Sequence, residues 1–421
     1  MSSVLERPPL RPPCPRPPLM ARLALRLLDR LEFGELRLRG PDGFERVFGR
    51  PASAWPGDPD DLIELQIKDW RVLQQAVSKG DIGFGEAYLE GRWTTNHLPG
   101  LLRLLIRNRH AVESAIQGRF WALLVDRLQH LLRANTRRQA RKNIQAHYDL
   151  GNDFYAAWLD PTMTYSSALF DRMGQWDRPV DLEAGQHRKI DRALAELGPL
   201  GPLSRTLEIG CGWGGLALRR LQQAPGHHLG LTLSPSQQAW AQERLAAQGL
   251  SSRAEIRLQD YRDVDGEFDA IVSIEMIEAV GEAYWPSYFR KLAACLKPGG
   301  RAVVQAIVID DRLFRRYRQG TDFIQKYIFP GGMLVSRGVI AEQVRRAGLQ
   351  TLQAFGFGPD YGRTLRLWLD HFDRQWPQIQ QLGFDERFAR MWRFYLAYCE
   401  AGFQSGDLDV LQYTLEKPVE S

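Results

Sequence analysis

Short apolar runs and longer amphipathic stretches take turns through the second half of this chain. Arg205 to Ile209, His228 to Leu233, Ala254 to Leu258, Phe268 to Ser273 and Arg301 to Ile307 are brief and rich in aliphatic residues. Runs of that length, bounded by polar or glycine-rich breaks, predict buried strands. Gly215 to Gln223, Pro235 to Gln248 and Tyr284 to Leu296 read instead as amphipathic helices. Strands alternating with helices from about residue 185 predict an α/β fold, a Rossmann-like parallel sheet with helices on both faces. No internal repeat appears.

The first third has a different texture. Ala21 to Glu32 reads as an amphipathic helix, and Leu36 to Gly49 as two short strands around the turn Gly40-Pro41-Asp42-Gly43. The stretch to about residue 134 then looks mostly helical, anchored by Trp70, Tyr88, Trp93, Phe120 and Trp121. Residues 1–20 are crowded with Pro and Arg, without the apolar segment of a signal peptide or anchor. The expected division is a disordered lead over 1–20, a smaller, mainly helical accessory domain over 21–134 and a catalytic domain over 135–421.

Composition narrows the function classes. A chain of 421 residues can bury two cores, and 25% charged residues with a net charge of +5 suggest neither disorder nor a dedicated nucleic-acid binder. A mild basic excess suits anionic phospholipid headgroups. Cys14, Cys211, Cys295 and Cys399 have neither metal-ligand spacing nor disulfide density, so no metal is expected and a reducing cytoplasm is the simplest compartment. Since no long apolar run spans a bilayer, a lipid substrate would be reached from the surface.

The first predicted strand of the sheet runs into Glu208-Ile209-Gly210-Cys211-Gly212-Trp213-Gly214-Gly215 and then a helix. Glycines here let the backbone turn sharply beneath a ligand, and helix amides point at what sits above the strand end. The spacing lacks the full dinucleotide fingerprint, and Glu208 precedes the first glycine, an arrangement of S-adenosylmethionine methyltransferases; a nicotinamide enzyme stays open. Gln259-Asp260-Tyr261, after the third strand, could meet an adenine by hydrogen bond or stacking, or be a polar loop.

The segments His147-Tyr148-Asp149-Leu150-Gly151-Asn152-Asp153-Phe154-Tyr155, Met163-Thr164-Tyr165-Ser166-Ser167-Ala168, Gly210 to Leu216, Gly230 to Ser234, Gln259 to Asp263, Leu296 to Gly300, Lys326 to Gly332 and Asp360-Tyr361 resemble the cyclopropane fatty acid synthase family. The resemblance covers about residues 75 to 415. It implies a class I methyltransferase-like sheet, S-adenosylmethionine as cofactor, and methyl transfer to the cis double bond of an unsaturated acyl chain in a membrane phospholipid. By resemblance Tyr165 and Ser166 hold the methionine end, Gly210, Gly212 and Gly214 let the cofactor approach, Thr232 and Gln237 contact the nucleoside, and Gln259, with Asp260 and Tyr261, lies near the adenine.

The same resemblance implies a bound bicarbonate as the base, cradled by Glu278, Ser167, Gln305, Tyr361 and the backbone of Ile307. Two acids, Glu275 and Glu278, follow the predicted strand ending at Ser273, where open sheets place active sites; of the two, Glu278 is the expected functional one. Many members carry Cys in place of Ser167 and His in place of Gln305, and the residue after the key acid is often His where this chain has Ala279. The combination resembles the plant-type subgroup. A cyclopropane is therefore the expected product, formed after proton loss to the bicarbonate, and a methyl- or methylene-branched chain is the alternative that these departures raise. Tyr165, Tyr327, Phe329 and Tyr361 could stabilise a cation or simply fill a core.

Arg133, Arg137, Arg138, Arg141 and Lys142, and again Arg312, Arg315, Arg316 and Arg318, form basic clusters. They suit docking on an anionic bilayer at the inner membrane face, or ordinary solvated helices whose Asp310, Asp311 and Asp322 pair with them. The accessory domain could dimerise the chain or grip the bilayer. A small-molecule N-methyltransferase and a non-catalytic lipid binder are the rival classes.

Overall fold

The computed structural model describes residues 17–50, 62–109, 150–171 and 180–419. Phe120, Trp121, the Arg133 to Lys142 cluster, His147 to Asp149, the expected boundary at residue 134 and nearly all of the Pro-rich lead lie outside them. Contacts divide the chain into two compact units, residues 1–118 and 119–421.

In the first unit, α1 (Leu19–Leu28) buries Ala21, Ala24, Leu25, Leu27 and Leu28. The strands β1 (Glu35–Arg39) and β2 (Glu45–Gly49) pair antiparallel as the turn predicts. Helix outweighs strand among the described residues of this unit, as expected, but two strands join the pair read from the sequence. β3 (Ile63–Ile67) pairs parallel to β1, and β4 (Trp93–Thr95) closes a sheet of order β2-β1-β3-β4. In β3, Leu65 and Ile67 alternate inward with period two, and β4 is held by Trp93, which stacks on Phe84 at 4.3 Å and donates its Nε1 to the Phe84 carbonyl at 2.9 Å. The helices α2 (Arg71–Leu89), broken at Gly80, and α3 (Leu98–Arg107) complete the unit.

The second unit begins in the described residues with α4 (Asn152–Trp158) and α5 (Leu182–Ala195). It then alternates β5 (Arg205–Ile209), α6 (Gly215–Gln223), β6 (His227–Thr232), α7 (Pro235–Ala247), β7 (Ala254–Leu258), β8 (Phe268–Ile274), α8 (Trp285–Cys295) and β9 (Leu296–Ile309). After β9 come α9 (Asp311–Tyr317), α10 (Phe323–Tyr327), β10 (Val335–Ser336), α11 (Arg337–Arg346), β11 (Gln350–Gly356), α12 (Gly358–Gln381), α13 (Glu386–Gln404) and β12 (Leu408–Glu416). The sheet order is β11-β12-β9-β8-β5-β6-β7, with β10 pairing β9. β5 to β9 run parallel, while β12 lies antiparallel to β9 and β11 to β12.

Helices cover both faces of β8, so its burial is nearly continuous and its sequence is an apolar run rather than an alternation. The chain order reverses beside β5, with β6 on one side and β8 on the other. Such a switch point opens a crevice at the carboxyl ends of the strands, and the residues above it are those that follow β5, β6, β8 and β9.

Candidate active site

The first wall of the crevice is the turn after β5. The amides of Gly210 and Cys211 both donate to the Leu231 carbonyl, at 3.0 and 2.8 Å, which ties the turn to β6. Gly212 and Gly214 both have positive φ, 51° and 79°. A Cβ at Gly214 would lie 2.8 Å from that of Ala241, so this glycine serves packing against α7; a Cβ at Gly212 would meet nothing within 4 Å. The turn is therefore open above Gly212, as a ligand lying on the backbone requires.

Thr232 and Gln237 stand together at the end of β6, the Thr232 hydroxyl donating to the Gln237 side-chain carbonyl at 2.8 Å. Glu208 does not face the crevice. Its carboxylate accepts from Nε2 of His228 at 2.9 Å, both side chains buried, so it braces the strand pair below the turn. Tyr261 makes a T-shaped contact with Tyr288 at 5.6 Å and packs against the core under α8. Asp260 caps the short turn that follows it and pairs with Arg262 at 2.6 Å, and Gln259 donates to the Asp263 carbonyl at 2.8 Å.

The second wall is acidic. β8 ends at Ile274, and Glu275 takes φ 49°, a left-handed conformation that costs a residue other than glycine about 1 kcal/mol. Its amide donates to the Gln305 carbonyl on β9 at 2.9 Å. Its carboxylate gathers donors from three distant segments: the Ser167 amide at 2.9 Å, Gln305 Nε2 at 2.6 Å and the Tyr361 hydroxyl at 2.6 Å. The Gln305 side chain is itself oriented by Gln412, whose Nε2 donates to Gln305 Oε1 at 3.0 Å. Glu278, one short turn on, accepts the Ile307 amide at 2.6 Å on Oε1, while Oε2 is buried without a partner.

The expected cradle around Glu278 is thus corrected. Ser167, Gln305 and Tyr361 converge on Glu275, and only Ile307 serves Glu278. Ser167 contributes its amide, not its hydroxyl, which donates to the Ala168 carbonyl at 2.9 Å. These residues do not fit a bicarbonate. Each expected donor already serves a protein carboxylate, and an added anion would meet two acids.

A buried cation underlies the acids. Lys189 on α5 is fully buried and donates to the Ser166 hydroxyl at 2.6 Å. Burial brings its ammonium down to about 8, against the opposing pull of Glu275, Asp160 and Glu208. Burial raises the Glu275 carboxyl, opposed by Lys189 and its hydrogen bonds. Burial, reinforced by the charge of Glu275, pushes Glu278 up to about 8. The two acids thus differ: hydrogen bonds and the Lys189 charge favour the ionised form of Glu275, whereas Glu278, pushed up to about 8, favours the neutral acid near neutral pH.

Aromatic rings line the segment that carries Tyr165 and Ser166. Tyr165 lies 5.4 Å from Trp368 and 5.5 Å from Trp158, and shares a 2.7 Å hydrogen bond with the Tyr395 hydroxyl. Tyr361 packs on Phe403 at 4.5 Å, and Phe329 meets Tyr395 at 6.0 Å. Tyr327 packs on Phe323 at 4.9 Å. Sequence reasoning missed Lys189, Gln412 and Tyr395, none of which belongs to a recognisable motif. Of the second basic cluster, Arg312 pairs with Asp310 at 2.8 Å and Arg318 with Glu282 at 2.6 Å, whereas Asp311 and Asp322 accept backbone amides at Gly338 and Gln325.

The order β11-β12-β9-β8-β5-β6-β7, with β12 antiparallel among otherwise parallel strands, and the glycine turn at its switch point are those of a class I S-adenosylmethionine methyltransferase. The comparisons agree: solved structures of the cyclopropane synthases MmaA2, from Mycobacterium tuberculosis, and CmaA1, the latter complexed with S-adenosylhomocysteine and CTAB, each match with a TM-score of 0.61 and 31% identity, covering 66% of this chain and 98% of theirs.

Residues 135–413 match the family model of mycolic acid cyclopropane synthetase, and the chain belongs to that family. Among its relatives, tuberculostearic acid methyltransferase UfaA1 of Mycobacterium tuberculosis is 45% identical over 351 residues, 80% of this chain and 79% of that one. Cyclopropane-fatty-acyl-phospholipid synthase of Escherichia coli K12 is 33% identical over 359 residues, 85% of this chain and 89% of that one. The chain is an S-adenosylmethionine-dependent methyltransferase acting on fatty acyl chains.

Proposed function

We propose that the chain methylates the cis double bond of an unsaturated acyl chain carried by a membrane phospholipid, and that the product is a methylene-branched chain, the precursor of a methyl branch. The observation that carries this reading is the acid pair after β8, a carboxylate with three donors beside a second acid with an unpartnered oxygen, next to the turn that is open above Gly212. An olefin is a weak nucleophile, so methylation needs a donor held in line and water excluded from the cationic centre that results. When bound, S-adenosylmethionine supplies the electrophilic methyl group. Gly210 and Gly212 would admit it, Thr232 and Gln237 would hold its nucleoside side, and Tyr165 and Ser166 its methionine side.

Branching is favoured over ring closure by the 45% identity to an enzyme named for tuberculostearic acid, a methyl-branched acid, against 33% to a cyclopropane-forming synthase. A saturated branch then needs a hydride and a proton, the work of an oxidoreductase acting on this product. Cyclopropanation is the second reading, supported by the family model. We place the reaction at an anionic membrane surface, which the chain would visit peripherally; among the described residues no helix is long and apolar enough to cross a bilayer.

Lipid analysis of cells expressing the chain tests both. A methylene branch and a cyclopropane each add one CH₂ to the monounsaturated chain, but ozonolysis converts an exocyclic methylene to a ketone and leaves a cyclopropane intact. A ketone supports the first reading, an inert product the second, and no new lipid overturns both.

A further inference from the structure

We propose that Glu275 is the proton acceptor of the reaction, a carboxylate built into the chain where the resemblance places a bound bicarbonate. The inference rests on the acyl-methylation reading above. Bicarbonate and a glutamate side chain present the same planar carboxylate to their surroundings. The Ser167 amide and Gln305 Nε2 reach one oxygen of Glu275, at 2.9 and 2.6 Å, and the Tyr361 hydroxyl reaches the other at 2.6 Å. An ionised carboxylate has about four lone-pair sites, so these bonds leave one for a proton.

The backbone agrees. Among the described residues only Met163 and Glu275 have positive φ without being glycine. Such strain persists where the surroundings over-determine it, and it concentrates at functional sites. Here the carboxylate is held by donors that lie 30, 86 and 108 residues away in the chain. Fully buried Lys189 favours its ionised form, while Glu278, raised to about 8, stands beside it as a neutral acid and adds no second charge. One acid of the pair is thereby kept as base.

The step balances without a further reactant. The π pair of the olefin forms the new C–C bond as the donor's C–S bond breaks, leaving a positive charge on the neighbouring carbon. For a methylene branch, a hydride moves from the methylated carbon to that neighbour, which places the charge on the methylated carbon. The carboxylate of Glu275 then takes a proton from the methyl group, and the C–H pair becomes the exocyclic double bond. For a cyclopropane the hydride stays, and the C–H pair closes the ring. In either case the proton rests on Glu275 and passes to water when the product leaves.

The test uses the full chain with S-adenosylmethionine and vesicles of dioleoyl phosphatidylglycerol, in buffer stripped of carbon dioxide and again with bicarbonate restored. With Glu275 as base, the two wild-type rates agree within about twofold, and Glu275→Gln lowers product formation by about 10²–10⁴-fold while calorimetry still shows cofactor binding. Glu275→Gly, which vacates the carboxylate's place, regains product when formate or bicarbonate is added. A wild-type rate that collapses without bicarbonate, or a Glu275→Gln variant within about threefold of wild type, overturns the assignment and leaves acyl methylation standing. No wild-type product under any of these conditions overturns acyl methylation itself, and the assignment with it. The bicarbonate comparison needs no variant, so it decides even if the substituted chains fail to fold.

Discussion

Replacing Glu278 by Gln should change stability in a way that depends on pH. Burial and the neighbouring charge of Glu275 raise its carboxyl from 4.5 to about 8. A group whose pKa is higher in the folded chain contributes stability that is fully present below the unfolded value and is lost as pH rises through the folded value. For Glu278 the window runs from about 4.5 to about 8. At 1.36 kcal/mol per unit, the whole shift sets a ceiling of roughly 4–5 kcal/mol. Solvent reaching the crevice and relaxation of Glu275 screen part of it, so about 2–4 kcal/mol is the expected span.

Glutamine keeps the shape and the acceptor for the Ile307 amide but has no charge to desolvate. Urea unfolding of wild type and Glu278→Gln from pH 5 to 8.5 reads the difference directly, because every other titrating group, Lys189 included, is common to both. The variant should gain on wild type as pH rises, by at most about 1.4 kcal/mol per unit, and level off above about 8. A difference that is flat across this window would refute the reasoning, for it would mean that Glu278 is ionised at little cost. So would a difference of opposite slope.

Three further changes probe the turn, the buried cation and the helix pair beneath the aromatic wall. Gly212→Ala pays only left-handed strain, about 1 kcal/mol, since no atom lies within 4 Å of the new methyl, yet that methyl would enter the space proposed for the cofactor; calorimetry should show S-adenosylmethionine affinity reduced at least about tenfold with the unfolding midpoint little moved. Lys189→Met leaves Glu275 and Asp160 without their buried cation and the Ser166 hydroxyl without its donor, so urea unfolding should show a loss of about 3–5 kcal/mol; unchanged stability would remove Lys189 from the electrostatic account. Arg366→Met strips the fully buried Glu400 of hydrogen bonds at 2.6 to 3.0 Å between α12 and α13, costing about 3–5 kcal/mol, and adding Glu400→Leu should recover most of it.

The sheet was legible because strands buried on both faces announce themselves as apolar runs, and those from β5 to β8 begin and end within one residue of the stretches read from the sequence. β9 was read too short. Lys297-Pro298-Gly299-Gly300 looks like a turn, and the pairing with β8 does skip it, but Leu296 before it already lies opposite Phe268 and Arg301 after it opposite Ala270, so β9 runs across the irregularity. In the first unit, Trp93–Thr95 is too brief to carry any period, so the small sheet could not be counted.

The site divides along a different line. That acids at the end of β8 matter follows from where open sheets put ligands, and Ser167, Gln305, Tyr361 and Ile307 were all named. Which acid they serve did not follow, because resemblance assigns roles by position in the chain while hydrogen bonds are settled by distance. Glu275 and Glu278 leave the same strand three residues apart, but the left-handed turn at Glu275 aims its carboxylate at Ser167, Gln305 and Tyr361 and gives Glu278 only the Ile307 amide. A glycine at 275 would adopt that φ without strain and leave the three donors facing a vacant, carboxylate-sized place, the condition under which a soluble anion becomes useful. A glutamate there fills the same place from within, so the identity of one residue separates a chain that must recruit its base from one that carries it.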